Sequence, residues 1–114
     1  MLAQANRLKK QKDFKLVFKE GKIFRDDFLI LKTRKNKLRE FRIGIVVSRK
    51  ISPKAVVRNR IKRRLRGIVK GRIKEIKKGI DIVLITLPGI EERNFLEIKE
   101  IIEKIFKKAD ILNP

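Results

Sequence analysis

The chain has 114 residues, which fits a single domain (residues 1–114), and its 42% hydrophobic content suffices for a real core. Lys and Arg number 33 against 13 Asp and Glu, so the formal net charge is +20 and a polyanionic partner is expected, either nucleic acid or an anionic membrane surface. With no cysteine and no histidine, disulfides, thiolate metal sites and the commonest general base are excluded, and no stretch is long and apolar enough for a signal peptide or a bilayer span.

In chain order, RLKKQKDFKLVFKEGK (residues 7–22) predicts a first helix, with Leu8, Phe14, Val17 and Phe18 at helical spacing and Gly21 placed to end it. A faint strand follows over residues 22–26. FLILKT (28–33) predicts a further strand, and TRKNKLRE a turn around Asn36. RIGIVVS (42–48) predicts a strand with Ile43, Ile45 and Val47 on one face and Gly44 on the other, where a neighbour should approach closely. In the next segment Ser52 is placed to cap a helix with Pro53 at its first position, and Val57, Ile61, Leu65 and Ile68 form one apolar stripe. Gly67 and Gly71 each disfavour a helix interior by roughly 1 kcal/mol relative to Ala, so the helix either weakens after Arg66 or tolerates them for packing. IDIVLIT (80–86) predicts a central strand, and LPGIEER a loop. Asn94 is placed to cap a last helix that buries Phe95, Ile98, Ile101, Ile102, Ile105 and Phe106. A sheet covered by helices on one face satisfies this order.

Charge is distributed unevenly. From Phe41 to Lys74 there are thirteen Lys or Arg and no acid, whereas the last helix interleaves both signs. In RNRIKRRLR (58–66) six of nine side chains are cationic. With the stripe centred on Ile61, the residues Asn59, Lys62, Arg63 and Arg66 project outward, Arg58 flanks one side, and Arg60 and Arg64 flank the other. Arginine suits forked hydrogen bonding to phosphate, and the Asn59 amide suits a base edge or a ribose hydroxyl. Solubilising faces normally mix signs. A membrane-surface helix would lack Trp and Tyr here and would need its apolar stripe for lipid instead of core. No zipper heptads or helix-turn-helix pair speak for duplex DNA. Phe14 and Phe18, one turn apart, read as core or as stacking platforms for unpaired bases, and the residues alone favour core. The pair Asp26-Asp27 reads as solvated or as a magnesium ligand. No nucleophile–base set or phosphate-cradling glycine loop is present, so the chain reads as a binder. Abundant Lys, Arg and Ile lean toward a thermophilic source.

KAVVRNRIKRRLR resembles the signature helix of the protein subunit of bacterial ribonuclease P. RLKKQKDFKLVFKEGK resembles that family's opening helix, RIGIVVSRK the strand before the signature helix, and GIDIVLI the strand after it. The resemblance covers nearly the whole chain. It implies an α+β two-layer sandwich of order αβββαβα, with a mixed central sheet, helices packed on it, and a left-handed βαβ crossover at the basic helix, an exception to the usual hand. It implies removal of the 5′ leader from precursor tRNA, with catalytic groups in a large RNA subunit and Mg2+ acting through that RNA. The implied partners are ribonuclease P RNA and precursor tRNA; no membrane and no stable protein partner is expected, and without a signal segment or bilayer span the cytoplasm is the default expectation. Arg49, Lys50, Arg58, Asn59, Arg60, Lys62, Arg63 and Arg66 match the RNA-binding positions. Phe14 and Phe18 match the cleft for the leader, which implies packed edges and partly open faces. The sequence departs from the family near Leu31, where some members carry an aromatic. It also departs in ISPKA, one residue longer than the commonest form, and at Gly67 and Gly71. The alternative reading is a non-catalytic structural RNA-binding protein of ribosomal type.

Overall fold

The computed structural model describes residues 2–114. Its order is α1 (Gln11–Glu20), β1 (Lys22–Arg25), β2 (Leu29–Lys35), β3 (Arg42–Val46), α2 (Ala55–Lys70), β4 (Ile80–Thr86) and α3 (Phe95–Ala109), which is the expected αβββαβα. The four strands form one sheet in the order β1-β2-β4-β3. The β1–β2 and β2–β4 pairs are antiparallel and β3–β4 is parallel, so the sheet is mixed and IDIVLIT is central, as its β-branched run predicts. β3, α2 and β4 form a parallel crossover unit at the place expected for the left-handed connection.

The period-two alternation of the strands sorts the apolar residues onto two faces. Leu29, Leu31, Ile43, Ile45, Ile82 and Leu84 are buried in the main core with Ile61 and Leu65 of α2 and Ile98 and Phe106 of α3. Val83 faces the other way and packs with Val17 of α1 and with Leu8. The helices therefore do not share one face, as the sequence pattern suggested. α2 and α3 cover one side and α1 lies across part of the other. The strand pattern itself explains the difference, because β4 is apolar on both faces and each needs cover.

Three further expectations change at the level of local chemistry. Leu8 is buried but lies outside α1: its amide donates to the Ile43 carbonyl (3.0 Å), and Arg7 bridges Ile43, so this segment lines the free edge of β3. Ser52 does not cap α2. Its Oγ accepts the Lys54 amide (3.2 Å) in a local turn, and the helix starts at Ala55 with Lys54 in the cap position. Phe95 is 51% exposed, because it occupies the first turn of α3 before the helix meets the sheet. Asn94 caps as expected: its side chain accepts the Glu97 amide (2.9 Å) while Glu97 accepts the Asn94 amide (3.0 Å), a reciprocal capping box. α2 continues through Gly67 to Lys70, and Gly71 caps it, so neither glycine shortens the helix. No helix is long and apolar enough to cross a membrane among the described residues.

Candidate nucleic-acid interface

The buried stripe of α2 comprises Ile61, Leu65, Ile68 and Val69, with Val57 half-buried. Val69 was not part of the expected stripe. At about 100° per residue its burial turns the inward sector toward Arg58 and Lys62. Those two are accordingly half-buried, and Lys62 does not stand on the outermost face where the sequence geometry placed it. The Arg58 Nη1 donates to the Ser52 carbonyl (3.0 Å), which ties the helix to the preceding loop. Asn59, Arg60, Arg63, Arg64, Arg66 and Lys70 fill the outward sector and are exposed, as are Arg49 and Lys50 in the turn leading to the helix.

The partners of these cations decide what the face can do. Of the thirteen Lys and Arg between Phe41 and Lys74, only Arg42 and Arg72 form ion pairs among the described residues. The other eleven meet no carboxylate among the described residues, and every α2 cation is one of them. Such a concentration of like charge repels itself, and an external polyanion would offset that repulsion.

Arg42 belongs to the fold instead. Its Nε donates to Asp81 Oδ1 (2.9 Å), its Nη2 to Asp81 Oδ2 (2.7 Å), and its Nη1 to Asp13 Oδ2 (3.2 Å). Asn36 Nδ2 also donates to Asp81 Oδ1 (2.8 Å). The network joins β3, β4, α1 and the β2–β3 turn, and Asp81 is almost wholly buried. Hydrogen bonding to Asp81 is the largest influence on Arg42; with the charges of Asp81 and Asp13 it outweighs burial and holds the guanidinium above its ordinary range. An acid in the apolar run IDIVLIT was the available signal for this pair, and the sequence reading did not use it.

On the α1 face the two phenylalanines have different settings. Phe14 is half-buried, and its ring lies against Gly44, where a Cβ would stand 2.4 Å from Cζ. The close approach expected at Gly44 is therefore the Phe14 ring. Phe18 is 40% exposed, with Lys32 Nζ 4.9 Å from its ring centroid. Leu31 points into the opposite core, so an aromatic at that position would not lie on the face of Phe14 and Phe18; Ile30 and Lys32 are the β2 residues on the α1 face. A hollow of about 270 Å³ is lined by Phe14 and Gly44 and also by Arg7, Lys9 and Arg66. It brings Phe14 and Arg66 of the basic helix to one hollow, which sequence spacing alone could not show. Asp26 and Asp27 lie in the β1–β2 turn, where Asp26 Oδ1 accepts the Asp27 amide (2.8 Å). Among the described residues no three His, Cys, Asp or Glu are grouped to hold a metal ion.

Residues 2–110 match the family model described as Ribonuclease P. The chain is 37% identical over 114 residues to the ribonuclease P protein component of Pseudanabaena sp. (strain PCC 6903), covering 99% of this chain and 98% of that protein. It is 39% identical over 105 residues to that of Clostridioides difficile (strain 630), covering 91% of each. Among solved structures, the Staphylococcus aureus RNase P protein superposes with a TM-score of 0.89 at 33% identity, over 96% of this chain and 100% of that one. The Thermotoga maritima RNase P protein gives a TM-score of 0.81 at 37% identity, over 90% and 96% respectively. The element order and the crossover through α2 are consistent with these structures.

Proposed function

The chain belongs to the ribonuclease P protein family, and on that premise we propose that it binds the catalytic RNA of a tRNA-processing ribonuclease and the single-stranded 5′ leader of precursor tRNA. Membership implies a ribonuclease complex with an RNA partner. The finer assignment rests on one observation: the outward sector of α2 is cationic, lacks carboxylate partners among the described residues, and borders through Arg66 the hollow that Phe14 lines.

In this reading the chain acts as one RNA-binding domain. Arg49, Lys50, Arg60, Arg63 and Arg66 dock on RNA phosphates, with Arg58, Asn59 and Lys62 along the same helix. Phe14 and Phe18 offer ring faces to unpaired leader bases. Mature tRNA has no leader, so contacts at Phe14 and Phe18 favour precursor over product. Fixed cations beside the RNA lower the magnesium concentration that folding and cleavage require. Magnesium, held by the RNA, supplies Lewis-acid assistance to phosphodiester hydrolysis; this chain supplies binding and positioning.

The test is reconstitution: a bacterial ribonuclease P RNA, a precursor tRNA, and limiting magnesium, with and without the protein. Cleavage at the mature 5′ end that appears only with the protein is expected. An unchanged magnesium requirement would favour a structural RNA-binding protein of ribosomal type and overturn the assignment.

A further inference from the structure

A second basic hollow shares no lining residue with the one that holds Phe14 and Arg66. α3 ends at Ala109, and Asp110 follows in the left-handed region (φ 55°). The last rows of the sheet extend past that end. Lys22 and Thr33 pair across β1 and β2, Lys35 pairs with Ile80 across β2 and β4, and these side chains share the α3 face. They border an open hollow of about 730 Å³.

The chemistry of its walls is uneven. Five cations line it against two carboxylates, Glu20 and Asp110. Glu20 is held by Arg34 (2.9 Å) and Asp110 by Lys77 (3.4 Å). Lys108 Nζ donates to the Arg25 carbonyl (2.8 Å). Lys22 and Lys35 are exposed, and their ammonium groups have no hydrogen-bond or ion-pair partner among the described residues. By register they sit diagonally across two strands, on the order of 7 Å apart at Cα, a spacing two flexible stems can close around one phosphate. Phe24 and Ile80 give the hollow an apolar floor. Thr33 lines it too, and its Oγ1 is sealed from water without a hydrogen-bond partner. An unpartnered buried hydroxyl is unfavourable, and rotation about χ1 toward an incoming acceptor relieves it.

We infer that this hollow is a second anion site, one that seats a phosphorylated nucleotide of single-stranded RNA. The phosphate lies between Lys22 and Lys35, the Thr33 hydroxyl donates to a phosphate or ribose oxygen, and the ribose and base cover Ile80 and Phe24. Lys77, in the connection from α2 to β4, lines the hollow, and no residue of α2 does. The inference extends the RNA-binding reading to a surface outside the signature helix and rests on that reading.

Amide chemical shifts of the full chain, titrated with a 5′-phosphorylated mixed-sequence tetranucleotide and separately with inorganic phosphate, test it. Saturable shifts at Lys22, Thr33, Lys35 and Ile80 are expected. Lys22→Ala with Lys35→Ala should weaken binding there roughly ten-fold while leaving shifts at Arg60 and Arg63 unchanged. Thr33→Val should weaken it about three-fold without lowering the unfolding midpoint, since it removes an unpartnered hydroxyl. Shifts confined to α2 and α1 would overturn this site and leave the RNA-binding reading standing. No shift anywhere would overturn both. Inorganic phosphate binding the hollow as tightly as the tetranucleotide would overturn the assignment to a nucleotide.

Discussion

Arg60 and Arg63 stand on the outward sector of α2, and neither meets a carboxylate among the described residues. Replacing both by Ala should therefore remove phosphate contacts and nothing that the fold uses. Each neutralised phosphate contributes about 0.7 to 0.9 to the slope of log affinity against log salt, so about six contacts give roughly −4 to −5. Between about 50 and 200 mM salt the wild-type affinity should then fall by a few hundred-fold to about a thousand-fold. The double variant should bind more weakly, with a slope shallower by roughly 1.4 to 1.8. Its stability should change by less than about 0.5 kcal/mol, because Ala is at least as good a helix former as Arg and both sites are exposed. Filter binding or fluorescence anisotropy across a salt series gives the slopes, and thermal unfolding gives the stability. A flat response in the wild type would refute phosphate docking. An unfolded double variant would show that these guanidinium groups are structural.

Phe14→Ala should narrow the affinity gap between precursor and mature tRNA by roughly 1 to 3 kcal/mol per lost stacked base; equal weakening toward both RNAs would count against a leader role. Asp81→Ala leaves Arg42 with Asp13 alone and should lower stability by about 3 kcal/mol, seen as a drop of roughly 10 °C or more in the unfolding midpoint. A loss below about 1 kcal/mol would mean the network is not structural. Because the Arg42 guanidinium is held above its ordinary range, its stabilising contribution is complete below the ordinary guanidinium value and fades only as pH rises through the raised one. Unfolding of the wild type between neutral and mildly alkaline pH should therefore show no loss traceable to that group. Gly67→Ala should raise stability by about 0.5 to 1 kcal/mol, since a Cβ there meets nothing within 4 Å. A destabilised variant, measured in denaturant, would show a constraint at Gly67 that this structure lacks.

Much of the fold was legible because the relevant signals are local. The Asn94–Glu97 capping box, the β-branched run of β4 and the alternation around Gly44 each express short-range preferences. The positions that were misplaced depend on distant partners. Leu8 has helical spacing, but its amide is satisfied by Ile43, thirty-five residues away. The face covered by α1 depends on how the sheet closes, and no local period encodes that. The basic sector of α2 was readable from its charge run, apart from the turn introduced by Val69. Arg42 sits in the same acid-free span as the exposed cations of α2, and only the fold brings Asp81 and Asp13 to it. The hollow joining Phe14 to Arg66 draws on the N-terminal segment, α1, β3 and α2, and no spacing rule reaches across those elements.

The sheet divides the molecule's duties. Behind it, α2 and α3 seal the large core; in front, α1 covers only part of the surface and leaves Phe18 and its surroundings open. Exposed side chains on that front can thus drift in identity without loosening the interior on the far side. A lineage can alter that surface one residue at a time and inherit the same durable scaffold.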